Sequence, residues 1–408
     1  MVHLARQITA IVPTFNRSTL LIEALDALDT QTRPPAQVIV WDDGSTDGTA
    51  QAVAEVQGRS SLPILYKRAE NGGKSRALNA ALALADQDYI WICDDDDAAL
   101  PDAAERLGAV LDSDTADIAA GRHQRFSVAP EDGRREITDT GYWPDPIDGS
   151  ILRHTLEDIF FFQNATFVRR GCYDRVGPFD TGLKRSIDYD MTVRLLARFP
   201  AELVPETVFL QRKHDGLRGP ADAQHAAARS EDVWRKTDRE IFAKLRSVLP
   251  LSLYEAMYDS TDPTLTRRAA LLQRGTVYAR RCDWSAALED FEAAADAALD
   301  RPLTDAERGI VIRAMAGKHG IEDVLEADFR GRIAALSTRN AAGREIARQL
   351  SRGMLWRVRN ALTERDAGAA MRLLRHLIAL PPALSGPPVA AGADVNERRK
   401  LPQEAYQW

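Results

Sequence analysis

The sequence predicts an α/β protein, an open and mostly parallel sheet with helices on both faces, followed by an all-α C-terminal region. Three observations predict it. Short apolar, β-branched runs alternate with helical periodicity early in the chain, the pattern of strands joined by crossover helices. The early strand runs end in polar or acidic motifs, and in such sheets ligands bind beyond the carboxyl ends of the strands. From about Ala221 onward strand signals disappear, and the composition turns to Ala, Leu, Arg and Glu.

Ile8 to Val12 is the first strand run, stopped by Pro13. Thr19 to Asp29 has helical spacing through Leu20, Leu21, Ala24, Leu25 and Leu28. Val38 to Trp41 is a second buried-strand run ending in Asp42-Asp43-Gly44-Ser45, and Asp47 to Val56 reads as the next helix, with Ser45 or Thr46 as its cap. Ile64 to Tyr66 is a third strand, Lys74 to Ala85 a third helix, and Tyr89 to Cys93 a fourth strand halted by four aspartates. After Pro101 the pattern loosens. Ala103 to Leu111 is helical, Asp117 to Val128 strand-like, and Pro130 to Ser150 a long loop or weak hairpin. Asn164 to Arg169 reads as strand, Asp188 to Phe199 as helix, and Leu203 to Leu210 as strand.

In the helical region Gly275, Tyr278, Ala287, Phe291 and Ala294 sit at the offsets of a tetratricopeptide helix pair near residues 268–300. Ala370, Leu374, Leu377 and Pro382 form a poorer second candidate. One good unit falls short of the roughly three repeats a free-standing solenoid needs, so this region reads as an appendage. The predicted boundaries are 1–220 for the sheet domain, 221–380 for the helical domain and 381–408 for a flexible tail.

The 408 residues fit two or three domains. A 45% hydrophobic and 28% charged composition is that of a soluble globular chain. Fifty-three basic against sixty acidic side chains, net −7, argue against nucleic acid as a partner. No apolar run approaches the roughly 20 residues needed to span a bilayer, and Met1 to Arg6 lacks the pattern of a secretion signal. Cys93, Cys172 and Cys282 are too few and too scattered for a disulfide scaffold or metal knuckle. The expected compartment is the cytoplasm; basic clusters such as Arg267-Arg268 and Arg398-Arg399-Lys400 read most simply as solvated faces, and also allow peripheral attachment to the inner face of a membrane.

Singly, the polar motifs are ordinary. Asp42-Asp43-Gly44-Ser45 has turn composition, and Asn71-Gly72-Gly73 suits a strand-to-helix connection. Gly72 and Gly73 also let backbone approach a phosphate or sugar, with Lys74 and Arg76 supplying positive charge. Asp94 to Asp97 is different: four adjacent carboxylates repel one another and are costly unless solvated or neutralised. At the carboxyl edge of a sheet, hard oxygen ligands suit Mn²⁺ or Mg²⁺ binding together with substrate phosphates.

In order and spacing, these motifs resemble the family 2 glycosyltransferases, with their GT-A nucleotide-sugar fold. The resemblance is carried by Pro13-Thr14-Phe15-Asn16-Arg17, Trp41-Asp42-Asp43-Gly44-Ser45-Thr46-Asp47, Asn71 to Asn79 and Cys93-Asp94-Asp95-Asp96-Asp97. Val176-Gly177-Pro178-Phe179-Asp180 and Ser186-Ile187-Asp188-Tyr189-Asp190 look like the family's acceptor-side motif. The similarity covers about residues 7–215. The resemblance implies a donor pocket of Pro13, Thr14, Asn16, Asp42, Asp43, Gly73, Arg76, Asp94 and Asp95, with Asp42 accepting a hydrogen bond from a base that is often uracil. Asp96 would be the direct metal ligand and Asp94 would hold the ribose or a metal-bound water; Asp95 and Asp97 leave that register open by one residue. His214 would complete the metal site, and Arg212 and Lys213 would face the leaving diphosphate, on a loop that Gly216 and Gly219 let close.

Asp188 matches the family's catalytic carboxylate, although Ile187 stands where a Glu is usual. Its alternative is to cap the following helix, and Asp190 competes for the assignment. The implied activity is metal-dependent, inverting transfer from a nucleoside diphosphate sugar, UDP-linked, to a glycan, lipid-linked or protein acceptor. Cell-surface polysaccharide or lipopolysaccharide assembly is the expected setting, and the helical region allows self-association. Two rivals stand against it: a nucleotidyltransferase, which would want a basic glycine-rich loop where Pro13 to Arg17 stands, and a silent scaffold acting through its helices. Phe160-Phe161-Phe162 reads as core, while Tyr142 and Trp143 are aromatic enough to stack on sugars. Donor-sugar specificity is expected to rest on loops around residues 121–165.

Overall fold

In the computed structural model, which describes residues 6–129, 133–145, 147–213, 230–299, 301–379 and 395–408, the N-terminal apolar run forms the middle of a sheet. Strand β1 (Ile8–Thr14), helix α1 (Ser18–Asp29), β2 (Gln37–Asp42), α2 (Thr49–Arg59), β3 (Ile64–Arg68), α3 (Lys74–Leu82) and β4 (Tyr89–Ile92) follow the predicted alternation. Every residue of β1 is buried, as a strand flanked and covered on both faces requires. It continues through Pro13, which pairs with Trp41. Proline is tolerated there because it lies near the strand's end, where one lost donor does least harm.

The chain continues through β5 (Ala98–Ala99), α4 (Ala103–Asp112), β6 (Ile118–Val128), β7 (Arg135–Asp139), α5 (Ile151–Glu157), β8 (Thr166–Arg169), α6 (Arg170–Val176), α7 (Ile187–Leu196) and β9 (Ala201–Arg212). The sheet order is β3-β2-β1-β4-β8-β6-β9-β5, with β7 on β6. Strands β3, β2, β1 and β4 are parallel. β8 runs antiparallel between β4 and β6, and β6 is parallel to β9. Within the long loop or weak hairpin expected over 130–150, Arg135–Asp139 is a strand, and it pairs with β6. Helices α5 and α6 carry no sequence signal recognised above; each is 7 residues long, too short to show periodicity.

Two units divide the chain: residues 1–145 with 159–230, and residues 146–158 with 231–408. The first has a core that includes Val12, Val38, Val40, Trp91, Phe167 and Phe209. Phe160 and Phe161 are buried, as expected of core. The second gathers α5 with α8 (Ser230–Val248), α9 (Leu251–Glu255), β10 (Tyr258–Asp259), α10 (Pro263–Arg280), α11 (Trp284–Ala297), α12 (Asp305–Arg313), α13 (Ala327–Arg339), α14 (Ala341–Thr363), α15 (Ala367–Ala379) and β11 (Asn396–Glu397). Segment 146–158 therefore belongs with helices that follow it by more than seventy residues in sequence, a long-range pairing that no local pattern encodes.

Helices α10 and α11 are the predicted pair. A Cβ on Gly275 would lie 2.8 Å from the Phe291 ring and 3.1 Å from the Ala287 carbonyl, so only glycine permits this approach. In the poorer candidate the inward residues are Ala370 and Leu373, while Leu374 is exposed. Two further expectations are corrected. Residues 395–408 are not a loose tail: Asn396–Glu397 pairs with Tyr258–Asp259, and Val395, Leu401 and Tyr406 are buried. Arg268 is not on a solvated face, since it is fully buried and makes a two-pronged pair with Glu307 at 2.7 and 2.8 Å. Among the described residues no helix is long and apolar enough to cross a membrane.

Candidate active site

The loops leaving β1 and β2 are tied together by side-chain-to-backbone bonds. Asn16, in the left-handed region at φ 54°, accepts from the Thr46 N–H at 2.7 Å, and its own N–H donates to Ser45 Oγ at 2.9 Å. Asp42 is buried; its oxygens accept from the Ser45 N–H at 2.7 Å and the Tyr66 hydroxyl at 2.6 Å. Burial and the Asp42 carboxylate push the Tyr66 hydroxyl up to about 12. Asp43 accepts from the N–H groups of Gly72 and Gly73 at 2.9 and 2.8 Å, so it shapes the loop before α3. Gly44, at φ +87°, lets these loops meet, since a Cβ there would stand 2.9 Å from the Asn71 nitrogen. Arg76 lies exposed in the first turn of α3 with its stem against Gly72.

The acidic run alternates. Asp95 and Asp97 are buried, whereas Asp94 and Asp96 are partly exposed. Asp95 accepts from Thr14 Oγ1 at 2.7 Å and from the Arg17 guanidinium at 3.0 Å. Arg17 also reaches Asp96 at 2.6 Å. Asp97 accepts from the Arg212 N–H at 2.8 Å and from Asn164 Nδ2 at 2.5 Å. Asp94 pairs with the Lys74 ammonium and accepts from Gln163 Nε2 at 3.1 Å. The Asp95 carboxyl is raised to about 6, chiefly by burial, with Arg17 opposing the shift and the Asp96 and Asp94 charges adding to it. Asp97 is held well above the ordinary range by burial and by the charges of Asp96 and Asp94.

This alternation bears on the open register, because it turns Asp94 and Asp96 outward together. Single oxygens of Asp94, Asp96 and Asp97 come within 4.8 Å of one another. Their donor set is all hard carboxylate oxygen, which suits Mn²⁺ or Mg²⁺. His214, Gly216 and Gly219 lie outside the described residues. Arg212 and Lys213 do not stand free for a phosphate: Arg212 bonds Glu23 at 2.6 Å and the Asp96 carbonyl at 3.0 Å, and Lys213 pairs with Asp139 at 2.8 Å.

Asp188 occupies the first turn of α7, but the cap position is Ser186, left-handed at φ 50°. The Asp188 carboxylate also accepts from the Tyr189 and Asp188 N–H groups of that first turn. Burial raises its carboxyl, the Lys74 ammonium lowers it, and the Asp94 charge raises it again. Lys74 thus lies in the field of both Asp94 and Asp188; burial works against its charge, and these carboxylates outweigh that effect. Asp190 is committed elsewhere, bonded to Arg194 at 2.8 and 2.9 Å. The sequence reading missed Gln163 and Asn164 as neighbours of the acidic run. In sequence Asn164 reads as the first residue of a strand, and no local pattern ties either residue to the acidic run. Trp143 stacks with the Arg122 guanidinium 5.0 Å from its ring centre, and Tyr142 is exposed.

Residues 9–184 match the family described as Glycosyl transferase family 2. That segment is similar to family 2 glycosyltransferase domains, as its motifs implied, and a helical region follows it. The chain is 27% identical over 207 residues to the glycosyltransferase YwdF of Bacillus subtilis, covering 49% of this chain and 71% of that one. It is 35% identical over 105 residues to the abequosyltransferase RfbV of Salmonella typhimurium, covering 25% of this chain and 32% of that one. It is also 30% identical over 112 residues to the poly(ribitol-phosphate) beta-N-acetylglucosaminyltransferase TarS of Staphylococcus aureus, covering 27% of this chain and 20% of that one. Of RfbV and TarS the matched region thus spans a third or less. The crystal structure of TarS 1-349 with UDP-GlcNAc superposes with a TM-score of 0.49 at 17% identity, covering 82% of this chain and 91% of that one.

Proposed function

We propose that the protein transfers a sugar from a nucleoside diphosphate donor, UDP-linked, to an acceptor hydroxyl with inversion at the anomeric carbon. The observation that carries this reading is the outward pair Asp94 and Asp96 at the sheet's carboxyl edge, with Lys74 in the field of both Asp94 and Asp188. Asp96, with Asp94 and Asp97 beside it, would hold a divalent ion. When bound, that ion supplies positive charge to the departing diphosphate. Thr14, Asn16 and Asp42 would line the nucleotide side, where the loops after β1 and β2 are pre-formed by their own hydrogen bonds.

Asp188 would take the acceptor hydroxyl's proton as its oxygen attacks the anomeric carbon and the bond to the diphosphate oxygen breaks. Burial raises its carboxyl, which strengthens it as a base, and the Lys74 ammonium opposes that shift. One displacement of this kind inverts the centre, and no covalent nucleophile takes part. Similarity to an abequosyltransferase and to a beta-N-acetylglucosaminyltransferase supports sugar transfer as the reaction class. TarS, the second of these relatives, has been crystallised with UDP-GlcNAc, which makes that compound the first donor to try.

The test is a panel of UDP-, GDP- and dTDP-sugars, with and without Mn²⁺, read by thermal shift and by release of free nucleoside diphosphate. The expected result is a Mn²⁺-dependent rise in melting temperature with UDP compounds and slow UDP release from one of them. A chain that neither binds nor cleaves any of them, with the metal present, is not this enzyme.

A further inference from the structure

We infer that Asn164, assisted by Gln163, is the positioning residue that fixes the register of the acidic run and turns Asp94 and Asp96 outward. The inference rests on the donor-site reading above and assigns a device to it. Four consecutive aspartates at a strand's end have two near-equivalent arrangements, because a slip of one residue exchanges the inward and outward pairs. Composition cannot choose between them, so something outside the run must.

The Asn164 side chain bridges the run from within. It is 4% exposed. Its Oδ1 accepts from the Asp94 N–H at 3.0 Å, and its Nδ2 donates to Asp97 Oδ2 at 2.5 Å. One rigid amide therefore spans residues 94 to 97. The orientation is forced: a backbone N–H can only face the amide oxygen, and a carboxylate can only face the NH₂. Asn164 is itself held to β4, because its carbonyl accepts from Trp91 Nε1 at 2.7 Å. Antiparallel pairing of β4 with β8, Trp91 opposite Phe167, delivers it to that place. Gln163 adds a second donor, Nε2 to Asp94 Oδ1 at 3.1 Å, and aims that carboxylate alongside Lys74.

The chemistry of the amide matters. A carboxylate at 164 would add to the repulsion within the run. A lysine or arginine would neutralise the oxygens that a metal needs. A hydroxyl is too short to reach both partners. An amide offers an acceptor and a donor on one short planar group without charge, which holds the loop while leaving its negative charge for a ligand.

The test uses the full chain and measures Mn²⁺ uptake directly, from the electron paramagnetic resonance signal of free Mn²⁺, together with UDP binding by calorimetry. Asn164→Ala and Asn164→Asp are each expected to raise the Mn²⁺ concentration for half-saturation tenfold or more. The control is Gln31→Ala. Gln31 is an equally buried amide in the same unit, bonded to the Ala27 and Leu100 carbonyls and the Ala104 N–H at 2.8 to 3.0 Å. Its loss is expected to lower the melting temperature and leave Mn²⁺ uptake unchanged. Wild-type-like uptake by folded Asn164→Ala overturns the inference, as does an equal loss in Gln31→Ala. Should the Asn164 variants not fold, Gln163→Met keeps the side chain's size and removes one donor; a few-fold weaker uptake supports the assignment, and none refutes it. A wild-type protein that takes up neither Mn²⁺ nor UDP removes the donor site, and the positioning role with it.

Discussion

In the sheet unit the carboxyls of Asp95 and Asp97 are buried beside two further aspartates, and both are pushed up. In the helical unit Glu157 is as deeply buried and is driven the other way, down to about 2: burial raises it, and Arg313, Arg280 and Arg153 more than reverse that. Its Oε1 accepts from Arg313 at 2.9 Å and Gln273 at 3.0 Å, while Glu397 joins Arg313 to Arg153 at 2.9 and 3.0 Å. Asp238, paired with His319 and Lys318 at 2.9 Å, is likewise held well below the usual carboxylate range, against burial. One unit surrounds its acids with more than enough cation, and the other leaves its acids short. A network that satisfies itself is structural; a shortfall that persists in the folded state is what a charged ligand completes.

The largest break in that comparison is expected at the groups with chemistry to do. Asp188→Asn should lower turnover by about 10²- to 10⁴-fold, the usual worth of a positioned base, with UDP and Mn²⁺ affinity retained. The acid limb of the wild-type rate profile should stand above the ordinary Asp range, because burial raises the Asp188 carboxyl and the base works only when ionised. Steady-state kinetics across pH read both effects. A variant that keeps near-full rate would return the base to some other residue.

Next comes the self-satisfied network. Glu157→Gln should cost about 1–3 kcal/mol, because Arg313 and Arg153 lose a buried carboxylate partner and keep only Glu397 and, for Arg153, Asp148. The sign with pH follows from the depressed carboxyl. Its contribution is complete above the unfolded-state range near 4.5 and is lost as pH falls through about 2. Denaturant melts of the variant at pH 7 and pH 3 measure it, and an unchanged midpoint at pH 7 would dissolve the contrast between the units.

Much of this was legible in the chain, and the limits have physical causes. Strands β1 to β4 and their motifs could be read because buried parallel strands are short apolar runs and their ends are polar. Asp42 and Asp94 to Asp97 fall at those ends and were found. Gly275 was found because helix-pair spacing is local. Asn164 and the loop-shaping role of Asp43 were not, since each acts through backbone groups brought close by the sheet, at separations of 70 and about 30 residues. Arg268 was misread for the same reason: Glu307, which accounts for its burial, lies thirty-nine residues away. Residues 395–408 looked loose because the Pro-Pro and Ala-Gly steps before them carry no sign of the Met257–Asp259 backbone they meet.

The smallest effect separates crowding from satisfaction most finely. Asp95→Asn replaces a buried carboxyl by a group of the same shape that cannot ionise. In the folded protein the Asp95 carboxyl is raised from 3.8 to about 6, so folding favours its neutral form. Native protein binds that proton more tightly than unfolded chain does, and the stability linked to this group falls as pH rises from about 4 to about 6, then stays level. Asparagine mimics the protonated state throughout. The melting temperature of Asp95→Asn minus that of the wild type, measured without metal, should therefore be small below about pH 4, grow between about pH 4 and about pH 6, and stay level above that. Adding Mn²⁺ should shrink the difference at pH 7, because a dication at Asp94 and Asp96 offsets the repulsion that burial of Asp95 imposes. A difference that is flat with pH, or that falls as pH rises, would mean that Arg17 already satisfies Asp95 as fully as the helical unit satisfies Glu157, and the acidic run would then be no different in kind from an ordinary buried ion pair.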